Sequence, residues 1–346
     1  MLPIHRPASA RHGISLTDLC IVLVVLVLLF GATIPALLST AGESSNRVKC
    51  AANLRQIGLG MIMYANGERN GSFPRTYFNQ DSSSLLSDTT GYNVKDGFNH
   101  ERGPSPVGDN NVTASLFLLL KTMDITSEVF ICPSTPGRPG FTNGQSAQSD
   151  AAVQNASNWA SIPLNMTYSV NVMFPSRAAI PTGWRWNYAL SSNFAIAADI
   201  SSGAQGLTTI SPGATPEQFR AVNSPNHNGD GQNVLFADGH VEFSSTPFCG
   251  AVRASATAKD NVYTSGSSVQ TIGQMPVDSE DSVMLPVSDP KFQPLSNGLA
   301  SIDVRSLPLL GIVGCIAGAV ILGGVVLAIV MASKRSAARS DNSPQP

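Results

Sequence analysis

The sequence has few charged residues and no excess of either sign. Its 346 residues include 21 basic and 23 acidic side chains, 13% of the chain, where a soluble globular protein carries about 25%. A net charge of −2 and a pI near 6.2 argue against the basic surface that nucleic-acid binding requires. The HExxH, GxSxG and phosphate-loop motifs are also absent. These absences argue against an ordinary cytosolic enzyme and direct attention to where the apolar residues lie.

Two long runs carry no charge at all, and they lie near the two ends. Residues 19–38 and 307–332 both reach the length of about 20 apolar residues that crosses a bilayer as a helix. Basic residues precede the first run and follow the second, which favours a cytoplasmic location for both ends. We therefore predict membrane helices over 14–38 and 307–332, with a basic cytoplasmic tail at 333–346.

The residues after the first run have helical periodicity. From position 47 the apolar residues recur at intervals of three and four, and Asn66-Gly67 is a helix-stop signal. We predict that the helix continues as an amphipathic segment over 39–68 and lies against a sheet. An exported α+β domain is expected at 69–250, followed by a polar linker at 251–306. The positions predicted for the apolar face are Val48, Ala51, Leu54, Ile57, Gly58, Met61, Ile62 and Ala65.

A β-hairpin is the clearest local prediction in the exported domain. Asp238-Gly239 is typical of a two-residue type I′ turn, in which both residues have positive φ. That turn pairs Phe236 with Val241 and predicts one apolar face for the hairpin. Further strands are expected within 129–132, 167–171 and 194–199, and a short helix within 114–123.

The residues before the first apolar run form an unusual leader. A short basic segment ends in Gly13, Ile14 follows it, and Asp18 lies four residues further on. This pattern resembles the class III leader of type IV prepilins and type II secretion pseudopilins, although that family usually has Glu in place of Asp18. The resemblance implies a leader at 1–13, cleavage by a prepilin peptidase between Gly13 and Ile14, and N-methylation of Ile14. It further implies a helix kink at Pro35 and a contact between Asp18 and a neighbouring subunit's amine. The competing interpretation is an uncleaved signal anchor.

Two further segments resemble a large family of prepilin-like proteins from planctomycete-type bacteria. One follows the membrane run; the other is a C-terminal signature of a His, nine residues and Asp-Gly. Here ten residues separate His227 from Asp238-Gly239, one more than the signature has. A second membrane run is not a usual feature of that family. The residues that match the first segment are Cys50, Asn53, Leu54, Gln56, Ile57, Gly58, Leu59, Tyr64, Gly71, Phe73 and Pro74.

These resemblances imply an α+β fold in which a long pilin-like N-terminal helix packs on an antiparallel β-rich domain. The function implied is non-enzymatic: a structural subunit or scaffold of a type II secretion or type IV pilus-like system. Its partners would be the membrane, the peptidase and other pilin-like subunits, with no nucleic acid. The expected location is the cell inner membrane, as a two-pass protein with its domain on the periplasmic or extracytoplasmic side. The alternative is a ligand-binding or sensory domain that uses the helix only as an anchor.

Three cysteines lie outside the apolar runs, so at most one disulfide can form among them. Cys50–Cys132 is the first choice of pairing over any that uses Cys249, and three buried free thiols remain the alternative. No cofactor is expected.

Two other residue patterns suggest a metal site or a hydrolytic centre. Asn226, Asn228 and Asp230 partly match a calcium loop, but the match lacks its first and last acids. His227, His240, Asp199 and Asp238 form a candidate hydrolytic or metal group, although most of them lie at or beside predicted turns.

Overall fold

The computed structural model describes residues 16–82, 84–101, 103–140, 150–253, 258–266 and 269–288. Gly13, Ile14 and the segments 307–332 and 333–346 lie outside these residues, as does the side chain of Asp18. The chain divides into two compact units. One is Gly42–Asn297, and the other consists of the segments Met1–Ala41 and Gly298–Pro346.

Helix α1 comprises Leu16–Gly67. It covers most of the first predicted membrane segment (14–38) and of the amphipathic segment (39–68), and it ends at the predicted stop signal. Pro35 lies within its bounds, and the kink predicted there stays a prediction. Among the residues that the structure describes, no helix has both the length and the apolar character needed to cross a membrane.

The part of α1 within Gly42–Asn297 buries one face against a β-sheet. Val48 departs from the predicted face, because it is 67% exposed. At Gly58 the helix lies close to the sheet: an added Cβ would lie 3.1 Å from the Leu235 methyl groups. The side chains of this face that enter the core are those of Cys50, Leu54, Ile57, Met61 and Ala65.

The large sheet is antiparallel, and its five strands are β1 (Tyr168–Asn171), β2 (Ala195–Asp199), β3 (Gln232–Phe236), β4 (Val241–Ser244) and β7 (Met284–Leu285). Their order across the sheet is β4-β3-β2-β1-β7. Apolar residues cover both of its faces: α1 and its neighbours pack on one side, and a two-stranded sheet packs on the other. An irregularity in the pairing between Ala195 and Ala197 changes which residues of β2 face each side. The α+β class with an antiparallel sheet is therefore confirmed.

The predicted polar linker is wrong for the described residues 251–253, 258–266 and 269–288. β5 (Phe248–Val252) pairs with β6 (Lys259–Asn261), and β7 pairs with β1 in the main sheet. Composition misled the prediction because the polar side chains of this region are buried in hydrogen bonds and ion pairs. Arg253, for example, is only 2% exposed.

Short helices complete the unit. α2 (Val112–Thr122) begins where Asn111 caps the Ala114 N–H, and it contributes most of its side chains to the core. The strand expected within 129–132 is wrong, because Ser127–Phe130 forms a 3₁₀ turn. The remaining short helices are α3 (Asp150–Gln154) and α4 (Pro216–Arg220).

The hairpin formed by β3 and β4 exists, but its predicted register is wrong by one residue. Leu235 pairs with Val241, and Phe236 pairs with His240 across a three-residue loop. Of the two predicted turn residues, only Gly239 has a positive φ, +88°. A turn followed by a left-handed glycine closes a three-residue hairpin loop, so Asp238 does not need the type I′ geometry. Because all residues of β3 are buried, its apolar side chains stay covered in the observed register.

Candidate functional site

His227 lies in a tight turn whose backbone is left-handed. The turn Asn226–Gly229 joins α4 to β3, and His227 has φ 56° and ψ 33° within it. Left-handed geometry costs a non-glycine residue roughly 1 kcal/mol or more and persists where the surroundings impose it. Here the backbone directs the imidazole into the interior, where His227 is 0% exposed.

The imidazole lies between two carboxylates from distant parts of the chain. Nδ1 is 2.5 Å from Oε1 of Glu43 on α1, and Nε2 is 3.2 Å from Oδ2 of Asp199 at the end of β2. The three residues lie on three separate elements, so the contacts join the helix, the sheet and the turn.

Polar neighbours complete the hydrogen bonding of both carboxylates. Asp199 Oδ2 accepts hydrogen bonds from the backbone N–H of Asn233 (2.6 Å) and from its side-chain amide (3.1 Å). Asp199 Oδ1 accepts one from the Asn226 amide at 3.1 Å. The Ser134 hydroxyl donates to Glu43 Oε2 at 2.9 Å and lies 3.1 Å from His227 Nδ1. We call Glu43, Ser134, Asp199, His227 and Asn233 the histidine cluster.

The carboxylates determine the charge of His227. Burial alone would lower its pKa, but the negative charges and hydrogen bonds of Asp199 and Glu43 outweigh burial and raise the pKa to about 9. Partial burial would raise the pKa of Glu43, but its contacts with His227 and Ser134 lower it. His227 is therefore an imidazolium at neutral pH, and each ring N–H points to a carboxylate.

A disulfide lies against the same imidazole. Cys50 of α1 and Cys132 are joined, with their Cα atoms 5.2 Å apart, and this is the pair that the sequence analysis put first. Cys132 Sγ is 3.7 Å from His227 Nε2. One turn along the helix, the Asn53 amide donates to the Ile131 carbonyl at 2.9 Å. The helix is therefore fastened to the domain by a covalent bond and by charge at neighbouring positions.

An arginine pair extends these contacts toward the surface. Asp230 accepts hydrogen bonds from Arg47 of α1 (2.7 Å) and from Arg220 of α4 (2.6 Å), one on each carboxylate oxygen. The Arg47 guanidinium also lies 4.5 Å from the centre of the Phe243 ring. Because two guanidinium groups hold Asp230, and the Asn226 amide donates to Asp199, the contacts do not support the calcium loop predicted at Asn226, Asn228 and Asp230.

The series Ser134–His227–Asp199 has the residue types of a nucleophilic triad, but its electrostatics are unsuitable. A general base must be neutral to accept the serine proton, whereas His227 is charged and Glu43 is closer to Nδ1 than Ser134 is. A cavity of about 20 Å³ is lined in part by Asn226 and Thr135. That volume holds one water. A separate cavity of about 300 Å³, the size at which ligand pockets usually begin, is lined in part by Arg220, Gly229 and Asp230. The charge of His227 and the Glu43 contact therefore do not support Ser134 as a nucleophile activated by His227.

The structure brings together only some of the predicted residues. His227, Asp199 and the two cysteines are in contact, whereas Asp238 and His240 form a separate exposed pair, 2.5 Å apart, at the tip of the hairpin. The two ends of the His–Asp-Gly signature therefore lie in different parts of the domain: His227 is in the histidine cluster, and Asp238 is at the tip of the hairpin. Sequence reasoning missed Glu43 and Ser134 as partners of His227. Ser134 lies two residues after Cys132, so the predicted Cys50–Cys132 pairing was the available signal that Ser134 lies beside α1.

Together these contacts define a domain whose N-terminal helix is secured by a disulfide and a buried charge cluster. Residues 40–171 match the model of a family described as "Protein of unknown function (DUF1559)". The match includes Glu43, both bridged cysteines and Ser134, but it ends before Asp199 and His227. It therefore gives no support to the predicted His–Asp-Gly signature. No curated protein and no solved structure matches the chain.

Proposed function

We propose that this protein is a non-enzymatic, pilin-like subunit or scaffold of the cell envelope, anchored in the inner membrane. A prepilin peptidase would cut it between Gly13 and Ile14, and its helix would pack against other pilin-like subunits of a type II secretion or type IV pilus-like system. The family match supports this proposal, because that family is associated with pilin-like proteins.

The observation that carries the proposal is the outer face of α1. The helix buries one face in the domain, but Val48, Leu59 and Met63 on the other are 67%, 60% and 59% exposed. Spacings of eleven and four residues place these three side chains on one face of a helix. Together with Arg55 between them, these three exposed side chains form a face that a neighbouring helix would cover.

The fastening of the helix supports the same role. A subunit held in an assembly through its helix transmits load from that helix to its domain. The Cys50–Cys132 disulfide and the Glu43–His227 contact both lie where α1 meets the domain. A covalent and an ionic contact at this junction suit such a load.

Mass spectrometry of the full-length chain extracted from membranes tests the processing step. The proposal expects a chain that begins at N-methyl-Ile14, and Gly13→Val should leave the leader attached. Gly42→Ala is the matched control, because nothing lies within 4 Å of a Cβ at Gly42. An intact Met1 in the wild type would overturn the processing claim. The same spectrum shows whether residues 307–346 are retained, as a two-pass protein requires.

Crosslinking in membranes tests the assembly step. Leu59→Glu with Met63→Glu should abolish crosslinked ladders of the chain. The matched control is Val252→Glu, which places the same charge on a side chain of similar exposure, 57%, on β5. Ladders that survive the helix substitutions would contradict assembly through this face. They would favour the ligand-binding or sensory alternative, in which the helix is only an anchor.

A further inference from the structure

Four potential metal ligands lie close together where the disulfide meets the histidine cluster: two come from the disulfide and two from the cluster. One potential ligand atom from each of Cys50, Cys132, Asp199 and His227 lies within 4.8 Å of all the others, and all four residues are buried. Two thiolates, an imidazole and a carboxylate are a ligand set that zinc accepts. No function described above uses this convergence.

Two of the separations match those of a tetrahedral zinc site, and the sulfur–sulfur separation can reach that range only after the disulfide is reduced. Bonds of about 2.3 Å to sulfur and about 2.0 Å to nitrogen or oxygen place neighbouring ligand atoms roughly 3.3–3.8 Å apart. Cys132 Sγ lies 3.7 Å from His227 Nε2, and that nitrogen lies 3.2 Å from Asp199 Oδ2. Two edges of the tetrahedron are thus already at the required length.

The outer contacts of the cluster also suit a metal ligand. A histidine that binds metal through one ring nitrogen usually donates its other N–H to a carboxylate, which fixes the ring. In this site Nδ1 is 2.5 Å from Glu43 Oε1, and Nε2 is the nitrogen that faces the Cys132 sulfur, Asp199 and the Asn233 amide. Asn233 holds Asp199 through its backbone N–H. The orientation of the imidazole is therefore already set for a metal on the Nε2 side.

We propose that Cys50, Cys132, Asp199 and His227 form a redox-gated site for zinc or a similar thiophilic divalent cation. In the oxidised chain the sulfurs are bonded to each other, and His227 lies between the two carboxylates. A dithiol reductant supplies two electrons and two protons to the disulfide and is itself oxidised to a disulfide, which leaves two thiols. Binding of the divalent cation then releases both thiol protons, and any proton on Nε2, to solvent. Nδ1 keeps its proton and donates it in a hydrogen bond to Glu43. The same residues thus fasten the helix by a covalent bond in one state and by a metal in the other.

Cobalt titration of the full-length chain in detergent tests this proposal. The chain is reduced with a phosphine, which does not compete as a thiol ligand, and Co²⁺ is added. Reduced wild type should bind one equivalent, with the visible bands of tetrahedral cobalt and a near-ultraviolet sulfur-to-cobalt band, and zinc should displace it. The oxidised wild type should show neither band. This comparison of two oxidation states needs no substitution, so it does not depend on any variant folding.

Variants then assign the ligands. Cys132→Ser and His227→Gln should weaken or remove the tetrahedral spectrum, and Glu43→Gln should weaken cobalt binding by about 10–100-fold. The control is Cys249→Ser, because Cys249 is a buried free cysteine outside the cluster, and it should leave the spectrum unchanged. The proposal is overturned if reduced wild type gives no sulfur-to-cobalt band, if oxidised wild type gives the same spectrum, or if Cys249→Ser removes it.

Discussion

Two largely buried ionic clusters lie in the described part of the Gly42–Asn297 unit, and they differ in how far apart their members lie in sequence. The histidine cluster joins α1 to β2 and to the turn before β3. The other cluster, which we call the arginine cluster, consists of Arg253, Asp260, Asp278 and Asp281. Its members all lie between residues 253 and 281, so it joins parts of one short stretch of the chain. Arg253 contacts the three carboxylates at distances of 2.5 to 3.3 Å.

Both clusters raise pKa values, but the physical causes are opposite. Attraction to carboxylates raises the pKa of His227, so its positive charge stabilises the fold at neutral pH. Burial raises the pKa of Asp281 to about 6, despite the opposing charge of Arg253, so its negative charge costs free energy at neutral pH. Burial and the neighbouring Asp281 likewise raise the pKa of Asp260 well above its usual range. Arg253 faces three acids in its cluster, whereas the two acids beside His227 have a second cation nearby, since Arg47 lies 3.9 Å from Glu43.

The largest effect is expected from removing the only arginine of the arginine cluster. Arg253→Met would leave three carboxylates without their cation, and breaking a buried ion pair in this way costs about 3–5 kcal/mol of unfolding free energy. Urea denaturation at pH 7, followed by tryptophan fluorescence, measures the loss. Arg177→Met is the control, because the Arg177–Asp81 pair is exposed and should contribute less than about 1 kcal/mol. If both variants lost the same unfolding free energy, burial of the Arg253 ion pairs would not be the cause of the larger expected effect.

The next effect is a pH dependence that comes from His227. Its pKa is about 9 in the folded chain against an ordinary value of 6.5. Its contribution to stability is therefore complete below pH 6.5 and is lost as the pH rises to 9. The expected loss over this range is about 3 kcal/mol of unfolding free energy, at 1.36 kcal/mol for each unit of pKa shift.

Urea denaturation across pH 6 to about 9.5 measures this loss, and His227→Gln should flatten the curve. His240→Gln is the matched control, since His240 is exposed at the tip of the hairpin. If the wild-type and His227→Gln curves run parallel, His227 is not the titrating group.

Local patterns in the sequence predicted the elements better than they predicted these clusters. Apolar spacing was sufficient for the buried face of α1, because Leu54, Ile57 and Met61 only need to share one side of a helix. His227 and Glu43 are 184 residues apart, and no local rule brings two such positions together. The same limitation hid the β7–β1 pairing, since Met284-Leu285 is too short to have a period and lies in a polar stretch.

A smaller effect should separate the two arginines that share Asp230. Arg47 is partly buried and lies over Phe243, whereas Arg220 is 66% exposed in its side chain. Arg47→Met should cost about 1 kcal/mol of unfolding free energy, because it removes the ion pair and the cation–π contact. Arg220→Met should cost less, and the same denaturation experiment compares them. Equal costs would mean that Asp230, rather than the contact with α1, determines the energy.

The smallest effect is expected at Asp238, the acidic half of the predicted signature. Asp238 accepts a hydrogen bond from the backbone N–H of His240 at 3.0 Å and has no contact with the histidine cluster. Asparagine keeps that acceptor, so Asp238→Asn should change the unfolding free energy by no more than about 0.5 kcal/mol. Gly239→Ala in the same turn should cost more, because Gly239 has φ +88°, where a Cβ is strained.

Thermal or urea denaturation of the two hairpin variants beside His227→Gln measures the contrast within the signature. If Asp238→Asn matched His227→Gln in cost, the hairpin tip and the histidine cluster would be coupled. The sequence proximity of His227 and Asp238 would then reflect one functional unit. The separate contacts of the two residues argue for the other result: the histidine holds the helix to the domain, while the aspartate only shapes a turn.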